Sequence, residues 1–301
     1  MIIYCDLTRP PIFHQMFEDS GERHLSHYKS MWRLYLERKL RGRIPEFFLY
    51  PRPNPKEATD TFIVFDSYAS DRYLRWLCQK APYARIIVWF WNPIGRQCRW
   101  REYAPSRVEF WSYSKSDCAA FHLRHNTQFF FDCLAEEARI ERDKAFSETA
   151  RQPPKVFFVG RDKGRSDVLH TLADQLRGAG AEVELEIVVQ SPNRRAYMPE
   201  RLLTYRQIID RTKEADILLD YTMNPDAGLS LRPMEALFFG KKLITNNREI
   251  LQADFYRPEN IYVLENDKRT LNEFLLCPMK PVPDEIRDRY LMSAWLKRFS
   301  E

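Results

Sequence analysis

The sequence predicts an α/β protein in two domains, the second a parallel, doubly wound sheet. Three observations carry this. From residue 156 onward, short apolar runs alternate with amphipathic stretches over short connections, the pattern of strand–helix–strand crossovers. Composition changes at 136–151, a charged, weakly periodic stretch closed by Gln152-Pro153-Pro154, and prolines end helices and restrict the preceding residue. Of 42 aromatic residues, 28 lie in 1–150 and 14 in 151–301, so the two halves build different surfaces. The junction is therefore expected at 153/154, giving domains 1–153 and 154–301.

In the first half, strands are expected at 2–5, 47–50, 62–66, 85–91, 108–111 and 128–131. Residues 85–91 form a near-continuous apolar run, as in a strand buried on both faces. Helices are expected at 24–41, where Leu25, Tyr28, Trp32, Tyr35, Leu36 and Leu40 recur at helical spacing, and at 71–79 and 116–123. In the second half, strands are expected at 156–159, 182–189, 217–220, 243–245 and 261–264. Helices are expected at 166–177, 205–215, 231–239 and 283–299. Ser166 and Ser230 are placed to cap the helices that follow them, and Gly240 to close the helix before it.

The formal net charge of +5 suits an anionic small ligand or an anionic membrane surface. Lysines and arginines are dispersed along the chain, which argues against nucleic acid as a partner. Six cysteines without a CxxC pair read as free thiols of a reducing cytosol. Residues 1–11 lack the pattern of a signal peptide, and the longest apolar run is far too short to span a bilayer. A cytoplasmic protein is expected, at most peripheral to the membrane. The basic stretch 24–43 offers contact with the inner membrane face, although its apolar residues are expected mainly in the core.

Two segments have the residue types that bind phosphorylated ligands. The first, Val159-Gly160-Arg161-Asp162-Lys163-Gly164-Arg165, follows a strand and opens a helix. A helix N-terminus at the carboxyl edge of a parallel sheet presents unpaired N–H groups and a partial positive charge. Arg161, Lys163 and Arg165 add three cations, and Gly160 allows close backbone approach. The spacing matches neither GxxxxGK[ST] nor GxGxxG. The alternative is a solvated basic turn. The second segment runs from Asn224 to Thr245 and places Glu235 in an otherwise apolar helix. Burying that carboxylate requires a hydrogen-bonding partner, which a ribose diol would supply; the alternative is an exposed helix face.

Together these segments resemble the nucleotide-binding domain of GT-B-fold glycosyltransferases. The resemblance rests on Gly160-Arg161…Lys163 and on Gly228…Glu235-Ala236…Gly240 followed by Lys242-Leu243-Ile244-Thr245. More narrowly, FFVGRDKGR, LRPMEALFFGKKLITNN, DFYRPENIYVL, the terminal WLKRF, WFWNPI and FWSYSKSDC resemble bacterial glycosyltransferase-like proteins of lipopolysaccharide and capsule assembly. The fold thus implied is GT-B-like: two Rossmann-like domains with a cleft between them and the C-terminal helix packing back toward the N-domain. The implied activity moves a sugar from a nucleotide-diphosphate donor, UDP- or GDP-linked, to a saccharide or glycolipid acceptor, with no cofactor. Arg161 and Lys163, with Gly160 and Arg165, would hold the diphosphate. Glu235 would hold the ribose, and Gly228, Leu229, Ser230 and Arg232 would lie against phosphate or sugar. Many retaining relatives have a glutamate eight residues before the ribose-binding one; that position is Ala227 here, beside Asp226, so the stereochemistry stays open.

Metal dependence is not expected. There is no DxD pair, the nearest approach being Glu265-Asn266-Asp267, and the His24/His27 and His122/His125 pairs lack a third ligand. An inverting reaction needs a general base, for which Asp66, Asp6 and Asp117 are candidates. Each is equally open to a turn or capping role. A non-catalytic nucleotide or phosphosugar binder of the same fold is the alternative to an enzyme.

Overall fold

The computed structural model describes residues 2–6, 23–40, 43–53, 60–147, 152–188, 203–226 and 228–300. They form two compact units, Met1–Asn126 and Thr127–Glu301. In the first, six parallel strands, β1 (Ile2–Asp6), β2 (Arg23–Ser26), β3 (Thr61–Phe65), β4 (Arg85–Phe90), β5 (Glu109–Ser112) and β6 (Arg124–His125), are ordered β2-β1-β3-β4-β5-β6. Phe62, Val64, Ile86, Val88 and Phe90 form one core with Tyr73, Leu74 and Leu77 of the helix Asp71–Lys80. The alternate residues Ile63, Ile87 and Trp89 are also fully buried. The central strands are therefore covered on both faces, as their unbroken apolar runs predict.

The second unit has five parallel strands: β7 (Lys155–Arg161), β8 (Glu182–Val188), β9 (Ile217–Asp220), β10 (Lys242–Thr245) and β11 (Ile261–Val263). Their order is β11-β10-β9-β7-β8. Val156, Phe158, Ile217, Leu219 and Ile244 meet Leu169, Leu172 and Leu176 of the helix Ser166–Gly178, and Phe274 of the helix Leu271–Leu276, on one face. Phe157 points the other way, its ring 6.0 Å from the Arg232 guanidinium of the helix Leu231–Phe239. Both sheets are thus parallel and Rossmann-like, and the alternating elements expected in the second half are present.

Several local expectations change. The helix expected at 24–41 divides into β2 and the helix Met31–Leu40, and the strand expected at 47–50 is a helical turn, Glu46–Leu49. Among the described residues, 128–131 make one bridge, Phe130 to Leu291. The Phe130 amide donates to Tyr290 O (2.7 Å) and its carbonyl accepts from Met292 N (2.8 Å). This contact splits the single helix expected at 283–299 into Asp284–Arg287, the 3-10 turn Asp288–Tyr290 and Met292–Arg298.

The junction also moves upstream, from 153/154 to 126/127, and the cause is packing. Phe129 lies 4.4 Å from Trp295, Phe130 stacks on Phe238 at 4.3 Å, and Phe131 meets Tyr205 edge-on at 5.7 Å. The charged stretch before the expected junction contains the helix Ala135–Ser147, whose Glu137 pairs with Arg206 and Lys213, both at 2.6 Å. Gly240 closes the helix Leu231–Phe239 with φ +61°, and a Cβ there would come within 2.7 Å of Arg142 Cγ. The C-terminal helix does pack on residues expected in the N-domain, but those residues belong to the second unit.

Trp295 is fully buried between Phe129 and Phe299. Trp295→Ala is expected to destabilise the second unit by about 3–5 kcal/mol, measured by denaturant unfolding. A change below about 1 kcal/mol would show that the terminal helix is not part of its core.

Candidate functional site

A parallel sheet aligns all its carboxyl strand ends on one edge, and ligand crevices open where the strand order reverses. In the second unit that reversal lies between β7 and β9, paired through Val156–Ile217 and Phe157–Leu218. The segment Asp162–Arg165 leaves β7 there, with Lys163 and Gly164 both in the left-handed region (φ 50° and 80°). The returning chain directs the Arg165 side chain back over the strand ends. Its Nε and Nη2 donate to Arg161 O at 3.1 and 2.9 Å, and its Nη1 donates to Tyr221 O. One guanidinium therefore bridges the ends of β7 and β9. Gly160 makes room for it, since a Cβ there would stand 2.7 Å from Arg165 Nη2. Three of the five guanidinium N–H groups are engaged, leaving two without a partner among the described residues.

Arg161 and Lys163 are exposed beside it. Partial burial, then the cations of Arg165 and Arg161, hold the Lys163 ammonium below its ordinary pKa. The first N–H of the helix is already bonded. Asp162 Oδ1 accepts from Arg165 N (3.1 Å), Ser166 N (2.9 Å) and Ser166 Oγ (2.6 Å); Arg165 stands at the N-cap position and Ser166 is the first helical residue, not the cap. The Ser166 hydroxyl is the largest influence keeping that carboxyl low.

The second segment lies beside these strand ends. Ser230 caps the helix Leu231–Phe239 as expected, accepting from Arg232 N at 3.2 Å. It also donates to Asp220 Oδ1 at 3.1 Å, while Thr245 donates to Asp220 Oδ2 at 3.0 Å. Asp220 ends β9 and is buried; burial pushes its carboxyl up, against these two hydroxyls and the cations Arg232 and Arg165. Gly228 O accepts from Asn247 Nδ2 (3.1 Å), and Leu229 O from Gln128 Nε2 (3.4 Å). Asn246 exchanges two hydrogen bonds with the Thr222 backbone, at 2.7 and 2.8 Å. The loops after β9 and β10 are thereby tied together.

Glu235 is 2% exposed, and its partners are internal: Arg232 of the preceding helical turn and the Tyr205 hydroxyl. Burial pushes its carboxyl up against both. The hydrogen bonds that its burial requires thus come from these two side chains, where the sequence had suggested a ribose. Arg232 is likewise turned inward, toward Glu235, Thr212 and Phe157. Asp226 pairs on the surface with Arg248 at 2.7 Å, and Ala227 lies outside the described residues.

A pocket of about 610 Å³ opens at the carboxyl ends of β9, β10 and β11. Tyr221, Asn246, Arg248 and Asn266 line it, with Thr171 and Gln175 of the helix after β7. The residues missed in the sequence are Asp162, Asp220 and Tyr221. Asp220 carries the same signal that singled out Asp66, an aspartate closing an apolar strand.

In the first unit the order reverses between β1 and β3; Asp6 is the last residue of β1, and Asp66 follows β3. Asp66 Oδ1 accepts from Trp91 N (3.1 Å), and Asn92 Nδ2 donates to Oδ2 (3.1 Å). Burial raises its pKa against these bonds. Asp117 Oδ2 accepts from Ile94 N at 3.0 Å, and burial raises its pKa as well. Both carboxylates therefore grip the loop after β4. The side chain of Asp6 lies outside the described residues.

No family model and no curated protein matches the sequence. Among solved structures, the chain is similar to the catalytic domain of starch synthase IV from Arabidopsis thaliana bound to ADP and acarbose. The two are 10% identical with a TM-score of 0.40, over 79% of this chain and 67% of that one. Among the described residues, no helix is long and apolar enough to cross a membrane, and the described cysteines, Cys78, Cys98, Cys118, Cys133 and Cys277, are free.

The Asp220 carboxyl has a pH consequence. Its folded form holds a proton more tightly than an unfolded aspartate with its ordinary value of 3.8. Its contribution to stability is therefore fully present below that value and is lost as pH rises through the folded pKa. Asp220→Asn cannot ionise. Relative to the native protein, it is expected to be more stable near about pH 7 than near about pH 4 in urea unfolding. The same difference at both values would place the native carboxyl in an ordinary environment.

Proposed function

We propose that the protein is a glycosyltransferase that takes a sugar from a nucleoside-diphosphate donor and passes it to a saccharide or lipid-linked acceptor of cell-surface polysaccharide assembly. The observation that carries this reading is the Arg165 bridge at the β7/β9 reversal. A guanidinium with two unengaged N–H groups stands among Arg161 and Lys163, next to a pocket of about 610 Å³. Cleaving a sugar–phosphate bond loads negative charge onto the departing diphosphate, and fixed cations stabilise that charge in the transition state. Arg161, Lys163 and Arg165 would do so without a metal. The nucleoside would enter the pocket lined by Tyr221 and Asn246, with the Gly228–Ser230 loop beside it. Glu235 would act from behind, fixing Arg232 and the start of its helix.

The first unit would serve the acceptor. Asp66 is the preferred general base, because it follows a strand at the reversal and burial raises its pKa toward that of a working base. The resemblance to lipopolysaccharide and capsule enzymes supports this acceptor class. The alternative, a nucleotide binder without catalysis, shares the donor site and differs only at Asp66.

Thermal denaturation with UDP, GDP and ADP tests the donor site, since a ligand at 100 times its dissociation constant adds about 2.7 kcal/mol. At least one diphosphate should raise the melting temperature. Arg161→Ala and Lys163→Ala should each weaken its binding roughly tenfold or more. No response to any nucleotide would remove the donor reading. Once a donor is identified, Asp66→Asn should lower transfer by roughly 10²–10⁴-fold with donor binding intact. Full activity in that variant would rule Asp66 out as the base.

A further inference from the structure

The pocket at the carboxyl ends of β9, β10 and β11 holds a carboxylate that the packing of the fold does not engage. Among the described residues lining it, Glu265 is the one acid. Its carboxylate forms no hydrogen bond or ion pair among the described residues. Arg248, on the same pocket, feels its charge but is held by Asp226 at 2.7 Å. Glu235, the carboxylate expected from sequence to hold a ribose, is by contrast enclosed by Arg232 and Tyr205 and does not line this pocket.

The backbone fixes where Glu265 stands. Asp220 of β9, Thr245 of β10 and Val263 of β11 lie level across three strands. Glu265 follows two residues later, in a turn closed on one carbonyl: Val263 O accepts from Asn266 N (3.1 Å) and Asp267 N (2.9 Å). Leu264 N donates to Thr245 O at 2.8 Å, which ties the turn to β10. Within it Glu265 has φ +63°, the left-handed region that favours glycine. Side-chain-bearing residues held in that region by their surroundings cluster at ligand sites. Two strand spacings, about 10 Å, separate the ends of β9 and β11. A nucleoside diphosphate whose phosphates meet Arg165 over β9 reaches that far with its ribose.

Resting on the donor reading above, we propose that Glu265 holds the ribose of the donor, accepting hydrogen bonds from its 2′- and 3′-hydroxyls, and so selects ribonucleotides. A vicinal diol presents two O–H donors, and an ionised carboxylate two acceptor oxygens. A nucleotide without the diol would displace water from the carboxylate and give it no donor in return. A site built to bond a hydroxyl rejects the analogue lacking it in this way.

Calorimetric titration of the full chain with UDP, GDP and ADP, and with their 2′,3′-dideoxy counterparts, tests this. A ribonucleotide that binds should do so roughly tenfold or more tightly than its dideoxy form. Glu265→Gln, which keeps the shape and loses the charge, should narrow that preference by weakening the ribonucleotide alone. Glu265→Gly should abolish it. Glycine suits the left-handed backbone, so this variant should melt at or above the native temperature, and its loss of preference cannot come from a damaged fold. If no ribonucleotide binds the native chain, the donor reading falls and this inference falls with it. If a ribonucleotide binds but its dideoxy form binds equally well, or if both variants keep the native preference, Glu265 is not the ribose ligand and the donor reading stands without it.

Discussion

In a parallel sheet, every strand must be followed by a crossover that returns the chain to its starting edge, so all carboxyl ends collect on the other edge. Where the strand order reverses, neighbouring crossovers lie on opposite faces and leave a gap over two strand ends. The second unit places its residues around that gap. β7 ends in Gly160-Arg161 and β9 in Asp220-Tyr221, and Arg165 spans the two. The short turn Asp162–Arg165, with its two left-handed residues, follows from the need to start a helix on one face directly after the strand. The first unit repeats the arrangement, with Asp6 and Asp66 flanking its own reversal.

The edge is also where the structure accepts electrostatic cost. Asp220 and Glu235 are buried, and burial raises both. Each is compensated by directed partners, two hydroxyls for Asp220 and an arginine plus a phenol for Glu235. A buried ion pair such as Glu235–Arg232 adds little net stability, but removing one partner leaves an uncompensated charge and costs about 3–5 kcal/mol. These contacts fix geometry: Asp220 ties the ends of β9 and β10 to the start of the helix Leu231–Phe239, and Glu235 locks Arg232 against Phe157. The cations Arg161 and Lys163 stay exposed.

The parts legible in advance were those set by local pattern. Apolar runs marked the five strands of the second sheet, and Ser230 and Gly240 marked the ends of one helix through capping chemistry that needs no distant partner. Misreadings arose where a distant contact decided. Residues 128–131 have the composition of a strand, yet Phe129, Phe130 and Phe131 go to Trp295, Phe238 and Tyr205, all far along the chain. Residues 136–151 read only as a charged, weakly periodic stretch because their charges had no visible partners; Glu137 finds Arg206 and Lys213 only after folding. Ser166 looked like a cap, but the helix begins with it, and Asp162, brought back by two left-handed residues, accepts from its N–H and hydroxyl.

By itself the sequence determined the class of the protein, the alternation that makes its second half parallel, and the two segments, Gly160–Arg165 and Gly228–Gly240, that meet at one sheet edge. Periodicity, turn chemistry and charge are local properties, and they survive without knowledge of what lies opposite. Tertiary structure decided where each charge points. It aimed Arg165 across two strand ends, turned Glu235 and Arg232 toward each other, and set Asp162 on the helix N-terminus. It also turned Trp32 and Tyr35 outward, away from the core expected for them. The direction of a side chain depends on its partner's position, and strand order sets that position. Residues adjacent at the carboxyl edge, such as Arg165 and Tyr221, are separated by whole crossovers along the chain.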